Sequence, residues 1–367
     1  MRSPLMRTLG RRELGRALLA RQMLLDRAPA TPAAAVTRLV GMQAQAPYAP
    51  YFGLWCRLRA FDPADLAEAL TTRRLVRIAL MRSTIHLVEV ADYAALRPWS
   101  RPALDRELNT AFKKPLARLD LAAVADAGRA LLATRHRTPK ELGAALHERW
   151  PDRDPHALAT VVRNLVPLVQ VPPRAVWGAG GTTRYATATD WTGIEPGDVP
   201  DAERIVLRYL GAFGPASVND CQVWAGRTRL RAVFEALRPS LAVFRDERGV
   251  ELFDLPDAPR PGGDVPAPVR FLPEFDNLLA SHADRTRVLS EEARKRVATR
   301  NGMYATLLVD GQVTGVWQLR DGTLVVDPFR PLTPIERADV EDKAARLLAQ
   351  AAPGIPHDIQ IHARRMP

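Results

Sequence analysis

Hydrophobic positions recur with helical spacing in three groups along the chain, and each group is followed by a pair of short strands. Helices are predicted near 11–26, 32–43 and 62–72, near 121–134, 139–149 and 154–166, and near 201–212, 217–225 and 228–238. The strand pairs are predicted in "LVRIAL" with "STIHLVEV", within "LVQVPPRAVWGAGGTTRYATAT", and within "LAVFRDERGVELFDL". Three helices closed by a two-stranded hairpin form the winged-helix plan, a relative of the helix-turn-helix.

Polar residues followed by proline mark several helix starts. Thr or Asp precedes Pro at 31–32, 62–63, 138–139 and 333–334, the arrangement of an N-cap before the first helical position. Thr138 with Glu141, and Thr333 with Glu336, also have capping-box spacing.

The C-terminal part of the chain is dominated by strand patterns. "PVRFLPEFDNLLASH", "MYATLLVDGQVTGVWQLRDGTLVVDPF" and "HDIQIHARR" are strand-like, and Asp-Gly pairs at 310–311 and 321–322 predict hairpin turns. One helix is predicted near 334–351, and the Pro/Gly-rich stretch 254–268 is the clearest linker. The sequence therefore predicts an α+β fold with three winged-helix units, at 1–100, 101–198 and 199–258, and a β-barrel-like domain or open sheet at 266–367.

Composition indicates a globular protein of the cytoplasm. No apolar run approaches the roughly 18–20 residues of a membrane span. The basic, leucine-rich start resembles a transit peptide, but Leu14, Leu18 and Leu25 share one helical face, which favours an ordinary first helix. Cys56 and Cys221 are far apart without a nearby histidine cluster, so neither a zinc site nor a disulfide is expected.

The net charge of +11 and the pI near 10.3 point to a polyanionic partner. Most of the positive charge is arginine, which a GC-rich coding bias would also produce, so charge alone does not decide. Three helix–hairpin units with the basic helices "VVRNLV" and "TRLRAVFEALR" favour nucleic acid. The alternative is that these units form a protein–protein scaffold.

Most enzyme signatures are missing from the sequence. It contains no Walker-type phosphate loop, no His-x-x-x-His pair and no Gly-x-Ser-x-Gly elbow, and "GAGG" at 178–181 lacks a dinucleotide-binding context. Glu274 and Asp276 are two residues apart in a predicted strand, which would place both carboxylates on one face. They are either a catalytic pair or a solvent-exposed face paired with arginines.

Two stretches carry candidate chemistry. In "LMRSTIHLV", strand alternation predicts Arg82, Thr84 and His86 on one face, which suits a phosphate, a polar ligand or plain solvent. In "GMQAQAPYAP", Gln43 and Gln45 would diverge by about 200° on a helix but point the same way on an extended chain. The prolines that follow at 47 and 50 require the helix to end nearby, so paired amides could hold one water or one base edge.

Four ordered motifs resemble the AlkZ/YcaQ-type winged-helix DNA glycosylases. They are "LVGMQAQAPYAPYFGLWCRL", "LMRSTIHLV", "GPASVNDCQVWAG" and "FLPEFDNLLASHADRTRV", and the resemblance runs from near residue 10 to beyond residue 330. It implies three winged-helix units in a C-shape with a β-barrel. The family's catalytic Gln-x-Gln or Gln-x-Asp motif falls on Gln43 and Gln45. The Gln-x-Gln form resembles the AlkZ branch, associated with excision of bulky alkylpurines and unhooking of interstrand crosslinks.

This resemblance fits the chemistry of an amide pair. Gln cannot accept a proton at physiological pH, so it can only place a water. Placement suffices when alkylation at N7 or N3 has already made the purine a cationic leaving group. No lysine lies near Gln43 or Gln45, so a monofunctional glycosylase is expected, without cofactor or metal, acting as a monomer on double-stranded DNA with alkylated purines.

Basic residues near the motif are the first candidates for DNA contact. Arg73, Arg74, Arg77 and Arg82 are predicted to bind phosphates, and Thr84 and His86 to lie beside the glutamines as orienting or DNA-contacting groups. A winged-helix transcription regulator is the rival hypothesis, and it predicts a defined DNA site and no base release.

Overall fold

The predicted helix groups are present in the computed structural model, which describes residues 6–299 and 302–362. Its α-helices are α1 (Arg11–Arg21), α2 (Pro32–Arg38), α3 (Ala49–Arg57), α4 (Pro63–Thr71), α5 (Val90–Thr110), α6 (Leu121–Thr134), α7 (Pro139–His147), α8 (Pro155–Leu165), α9 (Ala188–Thr192), α10 (Ala202–Phe213), α11 (Val218–Ala225), α12 (Arg231–Leu237), α13 (Asn277–Ala280), α14 (Glu291–Val297) and α15 (Pro334–Ala351). Two short 3₁₀ turns cover Met81–Ser83 and Arg238–Ser240.

Strands alternate with these helices, which makes the fold a mixed α+β one. They are β1 (Thr8–Leu9), β2 (Met42–Gln43), β3 (Leu75–Ala79), β4 (Ile85–Glu89), β5 (Leu168–Gln170), β6 (Tyr185–Thr187), β7 (Ala242–Asp246), β8 (Glu251–Asp254), β9 (Arg270–Leu272), β10 (Ala298–Thr299), β11 (Gly302–Met303), β12 (Ala305–Val309), β13 (Gln312–Arg320), β14 (Thr323–Pro328) and β15 (Asp358–Ile361). Residues 1–5, 300–301 and 363–367, including the end of the predicted "HDIQIHARR" strand, lie outside the described residues.

The predicted helix starts are confirmed by hydrogen bonds. The side chains of Thr31, Asp62, Thr138 and Thr333 each accept from a backbone N–H in the first turn of their helix. Both predicted capping boxes form, because Glu141 and Glu336 reach back to the cap residue. Local sequence therefore determines where these helices begin.

One antiparallel sheet joins the first two hairpins. Its strand order is β2-β4-β3-β5-β6, and the junction between the hairpins is the pairing of Ile78 with Val169. The strand that carries Gln43 lies at the edge of this sheet. The first unit's own apolar core, which includes Val36, Leu54 and Leu87, packs beneath it.

The C-terminal strands form an open sheet. Their order is β15-β14-β13-β12-β9, and among the described residues no strand pairing connects β9 to β15. Of the two alternatives expected for this part of the chain, a barrel-like domain and an open sheet, the described strands form the open sheet. Helix α15 lies between β14 and β15 in the sequence. Between β8 and β9, residues 255–269 contain neither helix nor strand, as the linker prediction required.

Several predicted elements end earlier than expected or were missed. The helix predicted at 32–43 stops at Arg38, because Val40 and Gly41 take left-handed backbone angles and the chain continues as a strand. The strand predicted through "LPEFD" stops at Leu272, and Phe275 is also left-handed. The prediction that Glu274 and Asp276 share a strand face is therefore wrong.

Helices α3, α5, α9, α13 and α14 were not predicted. Among the described helices, none is both long and apolar enough to cross a membrane. Cys56 and Cys221 are buried free cysteines.

Candidate active site

Gln43 lies on the two-residue strand β2 at the edge of the antiparallel sheet, and Gln45 lies in the bend that follows. Gln43 pairs with His86 across β2 and β4, and the N–H of Ala44 donates to the carbonyl of Ile85, 2.7 Å away. The structure therefore excludes a continuing helix for this segment, in which the two side chains would diverge.

Both glutamine side chains have their carbonyl oxygen engaged by a donor. Oε1 of Gln43, a residue only 8% exposed, accepts from Nη2 of Arg82 at 2.7 Å. Oε1 of the exposed Gln45 accepts from the backbone N–H of Ile85 at 3.2 Å. A guanidinium and a backbone N–H can only donate, so the atom facing each of them is the amide oxygen. Within the described residues, no hydrogen bond uses either Nε2 group.

Arg82 reaches Gln43 from a tight turn rather than from a strand. The turn Met81–Ser83 joins β3 to β4, and Arg82 and Ser83 have φ angles of 56° and 60°. The predicted alternation of Arg82, Thr84 and His86 on one strand face is wrong, because β4 begins only at Ile85. The Thr84 hydroxyl donates back to the carbonyl of Met81 at 3.1 Å and closes the turn.

A polar network fixes this turn to the neighbouring helices. The Ser83 hydroxyl donates to Glu107 on α5, and Glu107 also accepts from Arg163 and from Nδ2 of Asn164 on α8. Positive charge and hydrogen bonds lower the pKa of Glu107 even though burial opposes ionisation. The turn is thus held in place by charged partners.

His86 lies directly behind Gln43 and is 2% exposed. Its Nδ1 lies 3.0 Å from the carbonyl of Thr84, so Nδ1 carries the proton and Nε2 does not. Burial, and secondarily the charge of Arg82, lowers the pKa of His86 to about 3. The imidazole is therefore neutral at physiological pH.

Arg77 holds the chain that follows Gln43. It is 3% exposed on β3, and its guanidinium donates to the carbonyl of Ala44 at 3.0 Å, the carbonyl of Pro47 at 3.2 Å and Oε1 of Gln170 at 3.0 Å. Burial lowers its pKa to about 10, which leaves it charged at neutral pH. All three contacts are internal to the protein.

Arg73 and Arg74 lie at the opposite end of β3 from the Met81–Ser83 turn. The guanidinium of Arg73 stacks 4.3 Å from the ring of Trp191 and donates to its carbonyl at 3.1 Å. Arg74 is exposed, and Glu89 lies 3.7 Å from it. The structure thus brings Arg77 and Arg82 to the glutamines and leaves Arg73 and Arg74 at a separate surface.

Asn277 completes the site and was not identified from the sequence. Its Oδ1 accepts from the N–H of Gln43 at 3.1 Å, and its Nδ2 donates to the carbonyl of Gly41 at 2.6 Å. One side-chain amide therefore makes the two hydrogen bonds that a further strand would make to the edge of β2. The only local signal is its position inside the "EFDN" motif that carries the resemblance.

Asp276 next to it is occupied by a structural contact. Its two oxygens lie 2.7 and 2.8 Å from the guanidinium of Arg57, and its Oδ1 also caps the N–H of Leu278 at 2.9 Å. Glu274 is exposed on the preceding loop. Among the described residues, no three His, Cys, Asp or Glu side chains group as metal ligands.

Comparison with known sequences and structures gives a family for this chain. A sequence profile described as DNA glycosylase AlkZ-like matches residues 36–350. The chain belongs to the AlkZ-like DNA glycosylase family. An interstrand DNA cross-link repair glycosylase from Streptomyces sahachiroi is 26% identical over 353 residues, which cover 90% of this chain and 93% of that protein. The solved structure of the DNA glycosylase AlkZ from the same organism shares the fold, with a TM-score of 0.81 over 97% of this chain and 100% of that chain at 21% identity.

Membership of the AlkZ-like family confirms the resemblance inferred from the four motifs. It also gives a context for the open groove of about 850 Å³ that lies between α5, the Met81–Ser83 turn and α11. Arg82, Arg106 and Arg227 line this groove, and Arg82 connects it to Gln43. A basic depression beside the amide pair suits a family that acts on DNA.

Proposed function

We propose that this protein hydrolyses the N-glycosidic bond of purines alkylated at N7 or N3 in DNA, with Gln43 and Gln45 placing the attacking water. The observation that carries the proposal is the fixation of the pair. Gln43 is held through its main chain by Asn277 and through its side chain by Arg82, and Gln45 is held by Ile85. The amide nitrogens remain available to a ligand, and water placement requires such preorganised groups.

The surroundings of the pair suit a substrate that needs no proton. His86, with its pKa lowered to about 3, stays neutral, and both oxygens of Asp276 are bound by Arg57. A general base or acid poised near pH 7 is therefore not provided by either group. An alkylated purine that already carries a positive charge leaves without protonation, so positioning of water is enough.

DNA is proposed to approach along the groove and the exposed arginines. Arg73 and Arg74 are accessible for phosphate contacts, whereas Arg77 and Arg82 have their guanidinium groups directed to protein acceptors. The three helix–hairpin groups, with boundaries near 1–100, 101–198 and 199–258, are proposed to act as winged-helix units in a C-shape around the duplex. The order of elements and the shared fold support this arrangement.

The proposal extends to bulky adducts and interstrand crosslinks. The relative from Streptomyces sahachiroi is named for cross-link repair. A groove open to solvent is lined by Arg82, which contacts Gln43, and an open groove can admit a lesion that a closed pocket would exclude. We expect a monomer that leaves an abasic site without cutting the strand, because no lysine is among the residues that contact the glutamines.

The test is a single-turnover assay on duplexes that carry one 7-alkylguanine, with free base and abasic site measured separately. Gln43→Ala and Gln45→Ala are each expected to lower the rate by about 100-fold while the dissociation constant for DNA stays nearly unchanged. Gln360→Ala, a change on the distant strand β15, is the matched control. A duplex with a nitrogen-mustard crosslink tests unhooking.

Three outcomes would contradict the proposal. Full activity of the Gln43→Ala, Gln45→Ala double variant would remove the pair from the mechanism. Ready release of uracil or 8-oxoguanine would overturn the substrate class, because these neutral lesions need activation of the leaving base. Tight binding to one DNA sequence without base release would favour the transcription regulator.

A further inference from the structure

The Arg82 guanidinium joins the catalytic strand to a helix of the third group. One nitrogen donates to Oε1 of Gln43 at 2.7 Å, and another donates to the carbonyl of Trp224 in the last turn of α11. We infer that Arg82 is a positioning residue that determines which end of the Gln43 amide faces the substrate. This inference rests on the proposed function.

A glutamine amide needs such a partner because its two ends are nearly equal in shape and opposite in hydrogen bonding. The oxygen accepts and the nitrogen donates, and rotation of the amide by half a turn exchanges them. Arg82 can only donate, so the flipped amide would place an NH₂ group against a cation with no acceptor between them. The guanidinium therefore stabilises one orientation and directs Nε2 of Gln43 away from Arg82. A water that accepts one hydrogen bond from this Nε2 keeps its second lone pair for attack on the sugar carbon. The electron pair of the N-glycosidic bond leaves with the cationic purine, which becomes neutral, and the extra proton of the attacking water passes to solvent.

The packing around Arg82 is built for this contact. The left-handed backbone of Arg82 is unusual for a residue with a side chain, and it turns the guanidinium toward Gln43. Gly226 permits the close approach to α11, because a Cβ at that position would lie 3.0 Å from the Arg82 backbone. The carbonyl of Trp224 lies at the negative end of the α11 dipole, which favours a cation.

The charge of Arg82 has no carboxylate partner within the described residues. Burial of the guanidinium, and secondarily the charge of Arg285, lowers the pKa of Arg82 to about 10 and leaves it protonated at neutral pH. The two acceptors of Arg82 are neutral and belong to the protein, whereas the guanidinium of a phosphate-binding arginine would be directed outward.

A double-mutant cycle tests the inference with 7-alkylguanine duplexes under single-turnover conditions. The four proteins are the wild type, Arg82→Met, Gln43→Ala and the double variant. We expect Arg82→Met to lower the rate at least tenfold in the wild-type background and less than twofold in the Gln43→Ala background. The dissociation constant for DNA and its salt dependence should stay unchanged. Arg82→Lys, which retains charge and one donor, should recover part of the rate.

Arg106→Met is the matched control, because Arg106 lines the same groove and donates to the carbonyl of Gly226 but does not contact Gln43. Its effect should multiply with that of Gln43→Ala. Equal rate losses for Arg82→Met in both backgrounds would overturn the inference, as would weaker DNA binding with a smaller salt slope. If Arg82→Met does not fold, an unchanged rate for Arg82→Lys and for Gly226→Ala would overturn it. Absence of base release by the wild type would instead refute the proposed function.

Discussion

Arg57 is a fully buried arginine and Arg82 a half-buried one, both near the strand that carries Gln43, and they differ in what balances their charge. Arg57 forms a two-pronged ion pair with Asp276, and it also donates to the carbonyl of Gly53 at 2.9 Å. Arg82 meets an amide and a backbone carbonyl. Removal of one partner of a buried ion pair leaves the other charge uncompensated and lowers stability, whereas removal of a charge that has no ionic partner leaves no such charge behind. We therefore expect Arg57 to contribute mainly to the stability of the fold and Arg82 mainly to the orientation of the Gln43 amide.

The largest effect is expected at the balanced site. Arg57→Met leaves the carboxylate of Asp276 buried without its partner, so the free energy of unfolding should fall by about 3–5 kcal/mol. Urea unfolding measures it. Adding Asp276→Leu should restore much of the loss, because an apolar pair replaces an ion pair at small cost. If the free energy of unfolding of Arg57→Met falls by less than about 1 kcal/mol, the prediction that the Arg57–Asp276 ion pair is important for stability is wrong.

Lowering the pH should reduce the contribution of the Arg82 site to the free energy of unfolding, because that site contains the imidazole of His86 and the Arg57 site contains none. The pKa of His86 is about 3 in the folded protein and near 6.5 in an unfolded chain, so the unfolded state binds more protons between these values. The stabilising contribution is complete above pH 6.5 and is lost as pH falls toward 3, by on the order of 1 kcal/mol per pH unit.

Unfolding in urea at pH 7 and pH 5 measures this effect, with His86→Asn as the test and the exposed His357→Asn as the control. His86→Asn should make the loss of stability in acid smaller, and His357→Asn should not. The base-release rate should be flat between about pH 6 and 8, because His86 stays neutral there. A rate step near pH 6.5 that disappears in His86→Asn would show that the imidazole acts as a base.

A small stability effect is expected at the unbalanced site. Arg82→Met removes two hydrogen bonds but also a half-buried charge that has no ionic partner, so the free energy of unfolding should change by less than about 1 kcal/mol. The same urea titration compares it directly with Arg57→Met. A loss as large as that of Arg57→Met would mean that Arg82 is mainly a structural residue.

The smallest expected difference between variants is in the dependence of DNA affinity on salt concentration. The logarithm of DNA affinity should fall linearly with the logarithm of salt concentration, and Arg74→Ala should reduce the slope by about 0.9 because one exposed phosphate contact is lost. Arg77→Ala should leave the slope unchanged, because its guanidinium is bound to protein carbonyls. A reduced slope for Arg77→Ala would place this buried residue on the DNA.

Much of the fold could be predicted because its signals are local. Caps such as Thr138 fix helix starts within one turn, and Asp-Gly pairs fix hairpins. Helix α5 was missed because Pro98 and Pro102 lie inside it, where proline normally breaks a helix. The fusion of two hairpins into one sheet depends on the single pairing of Ile78 with Val169, which no local pattern encodes.

Only part of the candidate site was predictable, because some of its contacts are not encoded by local sequence patterns. Gln43 and Gln45 were found because the resemblance and the chemistry of amides agree. The left-handed turn at Arg82 was not foreseen, since arginine has no preference for that conformation and alternation favoured a strand. Asn277 meets Gln43 from 234 residues away, a contact that only the folded chain creates.

The Asn277 contact has a consequence for the time at which the protein becomes active during its synthesis. The strand Met42–Gln43 has only two residues, and its outer edge is closed by a side chain that the ribosome adds much later. The first helices and hairpins can fold on the nascent chain, yet Gln43 lacks its main-chain partner until residue 277 has emerged. The proposed placement of water by this glutamine therefore requires synthesis through residue 277, about three quarters of the 367-residue sequence.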